Sequence, residues 1–330
     1  MRTPTLAACL LLLVACTAPA DGDDTATETA TSDEATTGGF ETDATPGDPD
    51  ILIGSFQVEL VAASGDSAAK TTLLGKVYDG PTPAAIVWED GAVVGDCTLK
   101  TPRVPFCATS CGGSAVCVED DTCQPYPAAH GVGTVTARGI QLMTGETEFA
   151  MKPVANNYQP AGAIKLAYPP FAPGDEVTLE AAGDYFPGFT LTAAGIAPFA
   201  LTSGAITLAD DTPIDLRWSA GDDATRVRVK LDISHHGGTR GMITCEAADS
   251  GALTIDGALV GELLDLGVAG YPTIIVTREV VGATTITAGR VELVVSSSIE
   301  QAVEIPGLTS CTADAECAAG QTCQPDLTCN

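Results

Sequence analysis

The chain has 330 residues, with 15 lysine and arginine residues against 43 aspartate and glutamate residues, for a formal net charge of −28. Because nucleic-acid phosphates are bound through basic surface, this charge excludes nucleic-acid binding, and it excludes attachment to anionic lipid headgroups by charge alone. Aromatic residues make up only 5% of the chain, which argues against a broad stacking platform for sugar rings.

The start of the chain predicts a cleaved export signal over residues 1–15. Arg2 precedes an apolar run from Leu6 to Val14, which is too short to cross a bilayer as a helix, since that takes about 20 residues. The run leads into Leu13-Val14-Ala15-Cys16, which resembles the lipobox of bacterial lipoproteins. The resemblance implies that Cys16 becomes the first mature residue and carries lipid. Thr17, in place of aspartate, implies the outer membrane by the same resemblance; an ordinary secretory signal is the alternative.

Residues 16–50 predict a lipidated, disordered, acidic tether. From residue 17 to residue 50 the chain has ten carboxylates and no lysine or arginine, and its only aromatic residue is Phe40. Such a segment cannot bury enough apolar surface to offset its ordering entropy. We therefore expect the folded part of the protein to be held away from the membrane.

The body of the chain predicts strands, because apolar and polar residues alternate with period two. Residues 214–218 and 226–233 alternate in this way, as do residues 56–60. Turn pairs such as Asp79-Gly80 separate the runs. The pattern is typical of an all-β fold with one or two antiparallel β-sandwich units and two small disulfide-rich modules. A single short helix is expected over Gly257 to Leu266.

We expect the boundary between two β units to fall near Phe186 to Phe199. In the second unit, Trp218 lies on one alternating strand and Cys245 on another, which resembles immunoglobulin-like sandwiches in architecture only. The expected parts are a first β unit over 51–190 with an inserted cysteine-rich module at 97–125, a second β unit over 191–306 and a C-terminal cysteine-rich module over 307–330.

Ten cysteines remain once Cys9 in the signal and Cys16 are set aside, and an even number in an exported chain predicts a disulfide framework. Disulfides persist in the periplasm and at cell surfaces but not in a reducing cytosol. We therefore expect five bridges among Cys97, Cys107, Cys111, Cys117, Cys123, Cys245, Cys311, Cys317, Cys323 and Cys329.

The strongest internal signal is a repeat of two cysteine modules. Residues 111–125 align without gaps to residues 311–325, each with five residues between successive cysteines and each closing with Thr-Cys-Gln-Pro. The modules resemble the EB module and the Dickkopf-type cysteine-rich region, which implies an extracellular setting and contacts with other proteins. We expect the modules to act as structural staples or end caps, since so few apolar residues cannot form a core, and a dedicated binding surface is the alternative.

The spacing leaves the disulfide pairing open. Cys329 has no counterpart in the first module, so either Cys107 or Cys97 completes that module. If the first module uses Cys107, then Cys97 and Cys245 are left to pair, which would tie the two β units together. Zinc is disfavoured, because only Cys107 and Cys111 have the close spacing of a zinc knuckle and the compartment is oxidising.

Candidate catalytic and metal-binding residues are few. Extending the strand alternation puts His235 on the apolar face and His236 on the solvent face, so this pair cannot hold one ion. His130 is the third histidine. We predict no catalytic residue, no cofactor and no metal, because no catalytic or ligand-binding motif is present. Three acidic pairs are explained as turn residues, namely Asp120-Asp121, Asp210-Asp211 and Asp222-Asp223.

Together these features favour a membrane-anchored extracytoplasmic lipoprotein that acts as a non-enzymatic binding or interaction protein of the cell envelope, on the periplasmic or cell-surface side. The expected partners are the membrane, through the lipid, and an extracellular or periplasmic protein or glycan. The alternatives are a secreted hydrolase with an unconventional active site and a purely structural envelope protein. The whole chain resembles the exported cysteine-rich lipoproteins of Gram-negative bacteria, most of which have no assigned activity.

Overall fold

In the computed structural model, the described residues are 47–64 and 67–330; the lipobox, Cys16 and most of the acidic segment lie outside them. The described chain is nearly all β, as predicted, with nineteen strands and one α-helix, and none of its helices could span a membrane. The strands are β1 (Leu52–Val61), β2 (Lys70–Tyr78), β3 (Val87–Val94), β4 (Cys97–Arg103), β5 (Ala115–Glu119), β6 (Thr122–Pro125), β7 (Ala129–His130), β8 (Val135–Arg138), β9 (Glu148–Met151), β10 (Asn157–Tyr158), β11 (Glu176–Ala181), β12 (Phe189–Ala194), β13 (Ile206–Thr207), β14 (Ile214–Arg217), β15 (Arg226–Asp232), β16 (Met242–Ala248), β17 (Ala252–Ile255), β18 (Thr273–Ile286) and β19 (Gly289–Glu304).

One large sheet organises the described chain. Its strands follow the order β10-β2-β1-β19-β18-β15-β16-β4-β3, with β7 added to β2 and β13 added to β19. Most pairs are antiparallel, but β1 and β13 each run parallel to β19. The sheet is therefore mixed, which the alternation within single strands could not reveal because it carries no information on the direction of a neighbour.

A four-stranded sheet, β12-β11-β8-β9, packs on one part of the large sheet to form a β-sandwich. The core between them contains Phe56, Val58, Leu179 and Leu293, all almost completely buried. The two layers approach closely where Gly282 on β18 lies against β12, since a Cβ added there would meet the Thr192 carbonyl oxygen at 1.8 Å.

A second core lies farther along the same large sheet. There Val227, Val229 and Leu231 of β15 are buried as their alternation predicts. A ribbon of β14 and β17 and the α-helix, α1 (Gly257–Asp265), supply residues to this core. The helix begins where Asp256 accepts a hydrogen bond from the Ala258 amide at 2.9 Å, so its predicted position is confirmed.

From Val132 to Ile196 the buried core residues belong to the first core, and from Phe199 to Val276 they belong to the second, but Cys97 and Leu99 of β4 already lie in the second core. The two halves of the chain nevertheless share the large sheet, because β1 of the first half pairs directly with β19 of the second. Strand β2 lies on the other side of β1, and β18 lies on the other side of β19. The long hairpin β18–β19 contributes Leu293 to the first core and Val276 to the second, and so connects them.

The ten cysteines of the described chain form five disulfides, as predicted. Cys97 lies on β4 directly opposite Cys245 on β16, so this bond joins neighbouring strands of the large sheet and Cys97 is not part of the first cysteine module. The remaining pairs are Cys107–Cys117, Cys111–Cys123, Cys311–Cys323 and Cys317–Cys329.

The two modules share one bridge and differ in the other. Cys111–Cys123 and Cys311–Cys323 occupy aligned positions, with a separation of 12 residues in each. The middle cysteine pairs backward in the first module, from Cys117 to Cys107, and forward in the second, from Cys317 to Cys329. The first module contains the β5–β6 hairpin, whereas the second has a 3₁₀ turn over Asp314–Glu316.

Candidate binding cleft

The histidine pair does not lie as predicted. Strand β15 ends at Asp232, whose Oδ1 accepts hydrogen bonds from the Ser234 amide at 2.9 Å and from its hydroxyl at 3.2 Å. His235 and His236 therefore lie in a turn, and their ring centroids are 3.9 Å apart instead of on opposite faces. His235 Nε2 lies 3.7 Å from Glu300 Oε1. Among the described residues, however, neither histidine belongs to a group of three side chains close enough together to hold a metal ion.

His130 belongs to a cluster that the sequence did not indicate. Its Nε2 lies 3.2 Å from Asp79 Oδ2, and the hydrogen bond to this imidazole lowers the pKa of the Asp79 carboxyl. The imidazole stacks on the Tyr185 ring at 3.6 Å between centroids, and Phe186 meets both rings edge-on. The pairing of β7 with β2 brings His130 to Asp79, 51 residues away, so neighbouring residues gave no signal of the contact.

Of the predicted local turn bonds, the structure gives one, at Asp222, whereas Asp120 and Asp121 bond to backbone 14 and 13 residues away. Asp120 accepts from the Phe106 amide at 3.0 Å, Asp121 from the Ala108 amide at 2.9 Å and Asp222 from the Ala224 amide at 3.0 Å. In the cysteine modules, the sulfur atoms that lie within 4.8 Å of one another are bonded as disulfides. They offer no thiolate to a metal ion.

One buried ion pair lies in the second core. Asp249 accepts hydrogen bonds from Trp218 Nε1 at 2.6 Å, Thr225 Oγ1 at 2.8 Å and Arg278 Nε at 2.5 Å. The Arg278 guanidinium lies 5.2 Å from the centre of the Phe199 ring. Every donor here points into the protein, so the arrangement holds strands together and offers nothing to a ligand.

Glu279 is the second buried carboxylate, and it faces a shallow polar depression on the outer face of the large sheet. Its only described cationic neighbour within salt-bridge distance is Arg228, at 2.9 Å, which also lies 3.2 Å from Glu246. Burial raises the pKa of Glu279, and Arg228 opposes that rise.

A cleft lies along an open edge of the large sheet, at β2. It encloses about 610 Å³, a volume typical of ligand sites. One wall is residues 69–74, from the start of β2, and the other is formed by Met143 and residues 159–168. The walls touch at the base, where Thr71 Oγ1 donates to the Ala167 carbonyl at 2.7 Å.

The edge of β2 is open because its neighbour turns away. Strand β10 pairs Asn157 with Lys76 and Tyr158 with Gly75, so the next two residues would pair with Leu74 and Leu73. The second of those residues is Pro160, which has no amide hydrogen to donate. The chain leaves the sheet there, and within the described residues no backbone strand pairs with residues 70–74 on this side.

The cleft is cationic in a strongly acidic chain. Its charged lining residues are Lys70 and Lys165, and no aspartate or glutamate lines it. In the described part of the chain, lysine salt bridges are made only by Lys100 and Lys230, so neither cleft lysine is neutralised by a described carboxylate.

The cleft walls are also apolar and exposed. Leu74 is 56% exposed and Met143 is 76% exposed, and Ile164 lies beside them. The lining contains no histidine, cysteine or carboxylate that could act as a general base. These walls can hold an apolar and anionic ligand; the titratable groups that line them are Lys70, Lys165 and Tyr168.

No protein-family model matches the chain, and no curated protein matches it. Among solved structures, the crystal structure of chicken CNTN1 FN1-FN3 domains is similar over 73% of this chain and 83% of that chain, with 9% sequence identity and a TM-score of 0.20. A TM-score this low carries no argument about fold or function.

Proposed function

We propose that the chain is a lipid-anchored, non-enzymatic binding protein of the bacterial cell envelope, and that the cleft at β2 is its binding surface. The observation that carries the proposal is the combination, in one cleft, of exposed apolar walls, two lysines that form no salt bridge with a described carboxylate, and unpaired backbone. Apolar surface supplies affinity, and a few polar groups fix orientation. No histidine, cysteine or carboxylate lines this cleft, which favours binding over turnover.

The anchoring half of the proposal rests on the lipobox resemblance at Cys16. Three acyl chains, as bacterial lipoproteins usually carry, would hold the protein permanently, because each buried CH₂ contributes about 0.8 kcal/mol. The variant Cys16→Ser should appear in the soluble envelope fraction with unchanged thermal unfolding. If it still sediments with membranes after a high-salt wash, the lipid anchor is wrong.

The binding half can be tested by photo-crosslinking in intact cells. A crosslinking amino acid at Met143, in the cleft wall, should capture one recurrent envelope component. The same amino acid at Val104, which is 73% exposed and lies outside the cleft, is the matched control. Equal or absent capture at both positions would refute the cleft as the binding surface.

A secreted hydrolase is the second candidate, and one observation favours it: Glu279 is a buried carboxyl with a raised pKa in a polar depression. Such a carboxyl can serve as a general acid. Turnover in a hydrolase panel that Glu279→Gln abolishes, while Asp90→Asn at an exposed position preserves it, would favour the enzyme over the binding protein.

A further inference from the structure

We infer that the β2 cleft takes an extended polypeptide strand with acidic and apolar residues in alternation, which adds to the large sheet at residues 70–74. The inference rests on the proposed binding function and names its ligand and its geometry. Strand addition uses main-chain hydrogen bonds for affinity and alternating side chains for specificity.

The first argument is the unpaired backbone. Strand β2 pairs with β1 from Lys70 to Val77, but on its other side β10 and β7 cover only residues 75–78. A strand beside residues 70–74 would run for roughly 16 Å, at about 3.3 Å per residue. The antiparallel pairing of β10 and β7 shows that this edge accepts strands, and a ligand would occupy the place that Pro160 prevents the chain from filling.

The second argument is that this edge carries fewer of the features that guard open edges than the other end of the sheet does. Open edges are usually guarded by bulges and charges, because unpaired strands invite other chains. Strand β3, at the far end, carries Glu89 and Asp90 and has a register irregularity between Asp90 and Val93. The β2 segment has a regular register and carries one charged residue, Lys70, together with the exposed Leu74.

The third argument is the chemistry of the two faces of β2. Lys70, Thr72 and Leu74 alternate with Thr71 and Leu73, which are buried on the core side. An added strand would therefore place one set of side chains beside Lys70 on the outer face. The other side chains of the added strand would point to the inner face, where residues 164–168 pack.

Those two surroundings predict opposite chemistry for alternate ligand residues. Lys70 on the outer face favours carboxylates, and Lys165 on the opposite wall adds a second cation that forms no salt bridge with a described carboxylate. Ile164, Leu166 and Tyr168 pack against the first core and favour apolar side chains on the inner face. The ligand strand should therefore alternate acidic and apolar residues.

The test is direct binding of a designed peptide to the mature chain carrying Cys16→Ser. The probe is a fluorescent ten-residue peptide of alternating valine and glutamate, measured by anisotropy. Binding should be saturable and should weaken as salt is raised, and a valine–lysine peptide should not bind. Equal binding of the lysine peptide would overturn the charge assignment.

Two N-methylated peptides test the strand geometry. Methylating the valine amides blocks one edge of the peptide, and methylating the glutamate amides blocks the other. Only one edge can face β2, so one methylated peptide should lose at least ten-fold in affinity while the other keeps most of it. Equal affinity of the two would overturn strand addition.

Matched variants locate the site. Leu74→Glu should weaken binding at least ten-fold, whereas Val281→Glu, in the same cross-strand row of the outer face, should not. Lys70→Ala and Lys165→Ala should each weaken binding by about two- to five-fold, the range for single charge pairs across strands, with exposed Lys152→Ala as control. Equal effects of the cleft and control variants would overturn the location.

Other occupants give distinct results. A concentration-dependent dimer that Leu74→Glu abolishes, together with no peptide binding, would make the cleft an interface between copies and overturn the inference. Peptide binding only after deletion of residues 21–46 would make that acidic segment the occupant and also overturn it. If the peptide fails while Met143 still crosslinks one envelope component, the binding function stands and strand addition is wrong.

Discussion

Asp249 and Glu279 are both buried carboxylates beside an arginine, yet their surroundings differ. Asp249 accepts from Arg278, Thr225 and Trp218, whereas Glu279 forms a salt bridge only with Arg228 among the described residues. Burial alone would raise the pKa of Asp249, but its three hydrogen-bonding partners outweigh burial and lower it. For Glu279, burial prevails and the pKa is raised.

We therefore expect Asp249→Asn and Glu279→Gln to have very different costs. Removing the Asp249 charge leaves Arg278 buried without its partner, which typically costs about 3–5 kcal/mol. Glu279→Gln removes a charge that burial already disfavours and should change the free energy of unfolding by no more than about 1 kcal/mol. Urea unfolding of both variants measures this, and equal midpoints would contradict the expectation.

The two carboxylates should also respond to acid in opposite directions. Because the folded pKa of Asp249 is lowered, its contribution is fully present above its unfolded pKa, about 3.9, and is lost as pH falls through the folded value. Because the folded pKa of Glu279 is raised, that residue favours folding more as pH falls toward its unfolded pKa, about 4.3. The free energy of unfolding, measured from pH 7 to pH 2.5, tests this. The loss of stability in acid due to Asp249 should be absent in Asp249→Asn, and the gain in acid due to Glu279 should be absent in Glu279→Gln.

At the scale of elements, Gly282 sets how closely β18 approaches β12. A Cβ there would meet the Thr192 carbonyl oxygen at 1.8 Å, and a backbone atom in a packed sandwich cannot move aside freely. We expect Gly282→Ala to destabilise the protein by about 1–3 kcal/mol, the usual cost of overpacking. Gly204→Ala, which meets nothing within 4 Å, should lie within about 0.5 kcal/mol of the parent by thermal unfolding. Similar midpoints for the two would show that the sheets can separate.

The strands themselves were predictable because burial on one face imposes a period of two. Val227, Val229 and Leu231 are buried as that rule requires. The rule failed just beyond them, at His235, because Asp232 bonds to Ser234 and ends the strand. A side-chain bond of this kind competes with the ladder and leaves no mark in hydrophobic periodicity.

The cleft could not be predicted, because it depends on contacts between residues distant along the chain. Pro160 is informative only once Tyr158 is known to pair with Gly75 on β2. The same limit applies to His130 and Asp79, which meet through the pairing of β7 with β2. Pairing between strands, rather than the pattern within each strand, carries this information.

At the scale of the whole molecule, the Cys97–Cys245 disulfide closes a much longer stretch of chain than the module disulfides do. Its cysteines are 148 residues apart, against 12 for Cys317–Cys329. In the chain-entropy account, a loop of more than 100 residues contributes about 4–5 kcal/mol. Alanine at both Cys97 and Cys245 should therefore lower the global unfolding midpoint strongly.

Alanine at both Cys317 and Cys329 is the comparison. That bridge closes a short loop inside the C-terminal module, so its loss should loosen the module more than the sheet. Proteolysis followed by mass spectrometry should show cutting confined to residues 307–330, with little change in the global midpoint. A larger loss of global stability from this pair than from Cys97 and Cys245 would contradict the loop argument.

The parallel pairing of β1 with β19 has a consequence for how the molecule is made. Ser297 on β19 donates a hydrogen bond to the Leu60 carbonyl on β1, 237 residues earlier in the chain. As a chain emerges from its N-terminus, β1 and β2 come out long before the strand that must lie beside them, and distant pairings of this kind form slowly. The large sheet closes only when residues 289–304 have been made, so β1 waits for a partner strand that lies more than 200 residues farther along the chain. During this delay one edge of β1 has no partner strand. An unpaired edge can pair with exposed strands of other chains, so this is the stage at which aggregation is most favoured.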